Sequence, residues 1–368
     1  MLTYIIRRLL LVVPTLIGIT MVVFFVMANS PGGVGGSALS EEGDVDSEQA
    51  LIQRAYFNER YGLDDPQVVQ YLRWLHRVSP VGVAEASGVL GVPMGADEDG
   101  QAMALGLKVP DLGESFQHRR PVLDLYGEAL PITLLLNLVT LPISYVVAIL
   151  AGVYAARHRG ELFDIASGVT LLSFYSAPVI WVGVVLIGFL ASNQYLQWFP
   201  ASGLSSLRAA EYDFLPGWGA DGFEAGWLLD RVWHLALPVV CMTYGSFAVL
   251  AKLMRASVLE AITADYVRTA RAKGLAGSTV LWRHAFANGL LPLITVAASI
   301  VPSLLAGSLI VEQIFSIPGM GKLTIEAIWA RDRELVLAGA LISGLLGLLS
   351  ILVADICYAI ADPRVSYD

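Results

Sequence analysis

The 368-residue sequence predicts an all-α, polytopic membrane protein with six transmembrane helices and an external soluble segment. Three observations carry that expectation. The chain is 56% hydrophobic and only 15% charged, with a mean hydropathy of +0.64, outside the usual balance of a globular domain. Its apolar residues fall in runs free of Asp, Glu, Lys and Arg, long enough to cross about 30 Å of hydrocarbon, which takes about 20 residues. Lys and Arg concentrate in alternate connections, as happens when short basic loops stay in the cytoplasm.

Six runs qualify: Leu9–Ser40, Ala129–Ala156, Ile165–Leu207, Val232–Ala251, His284–Val311 and Leu335–Ala354. Each holds one span, because Leu9–Ser40 turns to Pro-Gly after Ser30 and Ile165–Leu207 turns polar at Ser192-Asn193-Gln194. The first run follows the basic pair Arg7-Arg8. Its apolar length exceeds a signal-peptide core and a small-residue cleavage pattern is poor, so residues 1–30 are read as a retained span. Six spans place both termini, with Arg7, Arg8 and Arg364, in the cytoplasm, and the net charge of −9 matters less than its distribution. Arg157 and Arg159 follow the second span. Lys252, Arg255, Arg268, Arg271, Lys273 and Arg283 follow the fourth, against only Glu260 and Asp265. The loop beginning near Asn193 is instead acidic, with Glu211, Asp213, Asp221, Glu224 and Asp230 outnumbering Arg208 and Arg231, and is expected outside.

Residues 31–128 form the external segment. Its "SPGGVGGSALSEEGDVDSE" and "GVLGVPMGADEDG" stretches read as loops, since nothing fixes their carboxylates in a coordination geometry. Between them Leu63, Val68, Val69, Leu72 and Leu75 recur at helical spacing and predict an apolar face packing on the outer mouth. Residues 129–368 are the five-helix core, with a basic cytoplasmic loop at 252–291.

Several chemistries lack a pattern. The five histidines, His76, His118, His158, His234 and His284, stand alone, with no HExxH or CxxC, so no metal is expected. "GMGKLT" at Gly319–Thr324 approaches a phosphate-binding loop, but Leu323 stands where the magnesium-binding hydroxyl belongs. No GxSxG elbow occurs, so the chain is expected to be non-catalytic and without cofactor. Cys241 and Cys357 fall in or beside spans and read as small apolar side chains. The spans are almost free of ionisable residues, which counts against the alternative, an ion-coupled secondary transporter. No nucleic-acid partner is expected.

Within the basic loop, an Ala- and Arg-rich helix is predicted over about Val258–Lys273, ending at Gly274, with Ser278 capping a second helix to about Asn288. Two readings stand side by side: a basic loop resting on anionic lipid, or a docking element in which Tyr266, Val267 and Ala270 form an apolar knob for a soluble partner.

"DYVRTARAKGL", followed eighteen residues after Gly274 by the Pro of "LLP", resembles the cytoplasmic EAA loop of ABC importer permeases of the dipeptide/oligopeptide family. "YIIRRLLLVVPTLIGIT", "RYGLDDPQVVQYLRWL", "DLGESF", "LPITLLLNLVTLPISYVVAILAGVYAARHRG", "VEQIFSIPGMGKL" and "ADPRVSY" resemble further parts of that family, in order along nearly the whole chain. The resemblance implies a type I ABC importer permease architecture and ATP-driven import of peptides or similar small solutes. It implies as partners a second homologous permease, two cytoplasmic ATPase subunits, an external solute-binding protein and the lipid of an inner membrane. It assigns ATPase docking to a coupling helix containing Asp265, Tyr266, Val267, Arg268, Thr269, Ala270, Arg271, Lys273 and Gly274. Arg268-Thr269-Ala270 stands where the general EAA triplet would be, without its acidic residue. Phe315, Pro318, Gly319 and Gly321 are assigned to an outer mouth, with a compact interspan turn as the other reading of that stretch. The external stretch from Ser79 to Pro110 looks longer than the family's usual link.

Overall fold

The structure is a computed structural model that describes residues 2–30, 58, 62, 64–85, 89–96, 102–219, 222–300 and 308–361. It divides into two compact units, one comprising Arg7–Gly127 with Thr324–Leu345, the other Met1–Ile6, Glu128–Leu323 and Leu346–Asp368.

In the first unit, α1 (Leu2–Ala28) meets α2 (Gln67–Val78). The Tyr71 hydroxyl donates to the Ile17 carbonyl at 3.0 Å and lies 3.1 Å from Thr20 Oγ1, and the rings of Phe24, Tyr71 and Trp74 pack on one another. The buried face of α2 is therefore Gln70, Tyr71, Trp74 and Val78. Val68, Val69 and Leu72, expected to cover the apolar face, are exposed instead, because the aromatic residues between them take the packing position. Leu63 lies outside the described residues.

After α2 comes an antiparallel sheet of β1 (Val81–Glu85), β2 (Val89–Ala96) and β3 (Ala102–Lys108), ordered β1-β3-β2. This corrects the all-α expectation and turns much of "GVLGVPMGADEDG" from loop into strand. Cross-strand rows alternate: Val81, Leu107 and Leu90 align, then Gly82, Gly106 and Gly91, then Val83, Leu105 and Val92. Side chains alternate between faces in a strand, so one face is aliphatic and the other has glycine across a whole row. The glycine face approaches α2, where a Cβ on Gly82 would sit 3.2 Å from His76 Nε2 and Lys108 Nζ donates to the His76 carbonyl at 2.8 Å.

The start of α12 (Arg333–Ala361) belongs to this unit and is set by buried charge. Asp332 caps it by accepting from the Leu335 amide at 3.2 Å, and also accepts from Ser115 Oγ at 2.6 Å and the Gln117 amide at 3.1 Å. Arg333, 2% exposed, bonds Glu334 at 3.0 Å and Gln70 at 2.8 Å, and Arg77 also pairs with Glu334. Charges this deep persist only when paired.

The second unit contains most of α3 (Val122–Arg157), then α4 (Leu162–Ser176), α5 (Val179–Leu186) with the π-helical turn Ile187–Ala191, the short hairpin β4 (Gly217–Gly219) and β5 (Gly222–Glu224), and α6 (Gly226–Thr263). The expected single span over Ile165–Leu207 is bent by 96° between α4 and α5. Proline forces the preceding residue out of the helical region, and Ala177, before Pro178, has ψ 123°. Its freed carbonyl accepts from the Tyr244 hydroxyl at 2.8 Å, the repair a broken membrane helix requires.

Among the described residues four helices are long and apolar enough to cross a membrane, Tyr4–Ala28, Val122–Arg157, Gly226–Thr263 and Arg333–Ile356, and a fifth if the bent pair is one span. The expected span His284–Val311 is described only in pieces, since 301–307 lie outside. Cys241 is buried, as expected, while the side chain of Cys357 lies outside the described residues.

Candidate functional site

α6 has 38 residues, about 57 Å at 1.5 Å per residue, nearly twice the hydrocarbon thickness. Its C-terminal part therefore extends beyond the apolar layer. There Gly152 of α3 lets the two helices close up: a Cβ on it would lie 2.7 Å from both the Ala251 carbonyl oxygen and Met254 Cβ. One turn on, Arg255 makes a two-point bond to Asp164 of α4, Nε to Oδ1 at 2.5 Å and Nη2 to Oδ2 at 2.8 Å, while the Gly160 amide donates to Oδ2 at 2.9 Å. Arg255 is thus tied within the chain, although by sequence it counts with the free cations of the loop.

The helix predicted over Val258–Lys273 is two helices. Ala264 is extended, with ψ 152°, and serves as the end of α6 and the N-cap of α7 (Asp265–Ala272). Asp265 sits in the first turn of α7, where the helix dipole favours an anion. Its 3.2 Å pair with Arg268 is exposed on both sides and contributes little. The end of α7 is as expected: Gly274 has φ +76°, its amide donates to Arg271, and the Leu275 amide reaches back to Ala270. That is the double reversal of a Schellman end, which needs a residue free to be left-handed.

Eight residues are too few for a helix to stand alone in water, so α7 depends on packing. Val267, fully buried, and Ala270, 5% exposed, enter a cluster with Val153, Ala156, Met254, Val258, Ala261, Val280, Leu281, Ala285 and Leu293. The knob expected to face a partner is corrected accordingly: Val267 and Ala270 anchor the helix to its own chain, and of that trio only Tyr266 is exposed. Asp265, Arg268, Thr269, Arg271, Lys273 and Gly274 are all exposed. The outward face is polar and mixed in charge.

After the reversal the chain forms α8, built from Gly277–Thr279, a π-helical stretch Val280–Phe286, and Ala287–Gly289. Its N-cap is Ala276 with no side-chain bond, so Ser278 lies inside the helix and does not cap it. α9 (Leu291–Ile300) follows.

The outer-mouth residues fall on α11 (Met320–Trp329) and the turn that joins it to α10 (Leu309–Ile314). Glu312, fully buried, accepts from Thr133 Oγ1 at 3.1 Å, the Ser308 amide at 3.3 Å and the Lys322 amide at 3.0 Å. Gly319 and Gly321 pack on that carboxylate: a Cβ would come within 2.5 Å and 2.9 Å of Oε2. Phe315, 1% exposed, joins the cluster with Leu136, Leu235, Leu237 and Ile317. Phe315, Gly319 and Gly321 therefore face the interior and Pro318 alone is exposed. The stretch folds compactly around Glu312, a residue outside the outer-mouth set.

Long apolar helices, one broken at a proline, and a short helix hung from an overlong span define a multi-span membrane protein. The chain belongs to the family of binding-protein-dependent transport system inner membrane components: residues 148–367 match that family and residues 1–137 match its N-terminal region. It is 36% identical over 370 residues to the oligopeptide transport system permease protein AppB of Bacillus subtilis (strain 168), covering 100% of both chains. It is also 36% identical to the di/tripeptide transport system permease protein DppB of Pseudomonas aeruginosa (strain UCBPP-PA14), over 100% of this chain and 99% of that one. Identity to the dipeptide transport system permease protein DppB of Escherichia coli (strain K12) is 32%, with 100% and 99% covered. The chain is accordingly a non-catalytic, multi-pass permease subunit of an ABC importer, and ATP hydrolysis belongs to a separate subunit.

Proposed function

We propose that this permease imports peptides or similarly sized solutes, and that α7 is the element through which a cytoplasmic ATPase drives it. The observation carrying this is the construction of α7: Val267 and Ala270 fix it to the end of α6 and to α8, in a cluster that also takes in Val153 and Ala156 of α3, while Asp265, Arg268, Thr269 and Lys273 remain exposed for a partner. A push on α7 is delivered directly to α6 and, through the shared cluster, to the end of α3, and such differential contact is what biases one arrangement of spans over another. With the bent pair α4–α5 and the pieces after His284 counted, the chain has six spans, a first helix and a five-helix core, with both termini and residues 252–291 on the cytoplasmic side. A second homologous permease, two ATPases and an external solute-binding protein complete the assembly. The peptide cargo is supported by the names of the three relatives.

Purification of the tagged chain from its native membrane in mild detergent, with mass spectrometry of bound proteins, tests this. Recovery of a second permease and P-loop ATPases is expected. Recovery of the chain alone, transporting in ATP-free vesicles, would refute it.

A further inference from the structure

At the loop end of α3 two cavities meet. The first, about 360 Å³, is apolar and runs along α3 between Leu150, Ala151, Tyr154, Phe163 and Trp282. The second, about 680 Å³, is basic and lies between Arg157, Arg159 and Arg271, with Thr263 and Ser278 adding hydroxyls. Arg157 and Leu281 line both cavities, so greasy groove and cationic bowl are neighbours sharing a wall. Neither Arg157 nor Arg271 forms an ion pair among the described residues. Asp164, whose charge acts on Arg159, is already taken by Arg255. Tyr154 and Trp282 are 48% and 47% exposed at the rim, where aromatic rings mark the membrane–water boundary.

We propose that this composite cavity binds one anionic phospholipid of the inner leaflet, its phosphate in the arginine bowl and an acyl chain in the groove along α3. The inference rests on the cytoplasmic placement of residues 252–291. An acidic segment of a protein partner would use the arginines but not the groove, which continues down a membrane span. A free phosphate would leave it empty for the same reason. A lipid seated there joins Arg271 of α7 to Arg157 and Arg159 at the end of α3, so the ordering of α7 depends on the leaflet's anionic content.

The test is native mass spectrometry of the purified assembly exchanged into detergent micelles with phosphatidylglycerol or phosphatidylcholine. The wild type is expected to retain phosphatidylglycerol over phosphatidylcholine. Arg157→Gln with Arg159→Gln should lower phosphatidylglycerol retention roughly tenfold or more and leave the ATPase subunits bound. Ala151→Phe, which fills the groove without altering charge, should lower it as well. Unchanged retention in the double variant, or loss in the double variant with full retention in Ala151→Phe, overturns the lipid site. Loss of ATPase subunits from the double variant with phosphatidylglycerol retention intact would assign the bowl to the ATPase. Absence of ATPases from the wild-type preparation tells against the importer reading and is a separate result.

Discussion

Gly274 separates backbone cost from partner contact. Its φ of +76° lies in the left-handed region, and a Cβ built there meets nothing within 4 Å. Within the chain, therefore, Gly274→Ala meets no clash and costs only the left-handed conformation, about 1–2 kcal/mol. That corresponds to a change of about 5- to 30-fold in local opening of the helix end. Gly274→Asn should cost less, because Asn tolerates that region. Hydrogen exchange at the Gly274 and Leu275 amides, which close the helix end, reads the effect directly. Transport and ATPase stimulation in proteoliposomes read the functional side. The expected order is near-wild-type Asn, a modest defect for Ala, and for Gly274→Arg an uncoupling far larger than its exchange change, since only a partner meets the added side chain. Equal functional loss in all three, tracking the exchange rates, would show that the glycine serves the fold alone.

Val267→Ala removes two buried carbons beneath α7 and should cost about 2–3 kcal/mol, seen as protease sensitivity around Ala264 before any loss of membrane insertion. Gly319→Ala drives a Cβ into Glu312 and Thr133, and about 3 kcal/mol of overpacking should show as a lowered unfolding temperature in detergent; an unchanged temperature would refute the packing described for this turn. Asp164→Asn weakens the two-point bond to Arg255, which is partly exposed, by about 1–2 kcal/mol. Arg255→Gln should be non-additive with it in a double-mutant cycle.

Four of the six expected spans were legible because the hydrocarbon layer sets a length that composition alone reveals. Gly274 was legible too, because the end of a basic helix calls for a left-handed residue. What escaped depends on partners far apart in sequence. Nothing near Arg255 announces Asp164, 91 positions away, so a paired arginine was counted as a free one. Glu312 stands at the edge of an apolar run and looks like a loop charge until Thr133 and the Lys322 amide surround it. The sheet was missed although Val81 and Val83, Leu90 and Val92, and Leu105 and Leu107 alternate, because intervening glycines lower strand propensity and read as loop. On α7 the apolar Val267 and Ala270 were visible, but their direction was fixed only by α6 and α8 beneath them. The break at Ala264 carries no proline or glycine, and tertiary packing alone accompanies it.

The most direct test of the central claim is photo-crosslinking from the outward face of α7. With p-benzoylphenylalanine at Thr269, irradiation of native membranes should yield an adduct with a P-loop ATPase subunit, and the same probe at Leu207 in the acidic loop should yield none. An ATPase that co-purifies with the chain yet crosslinks from Leu207, or never from Thr269, would contradict the assignment of α7 as the element that receives its motion.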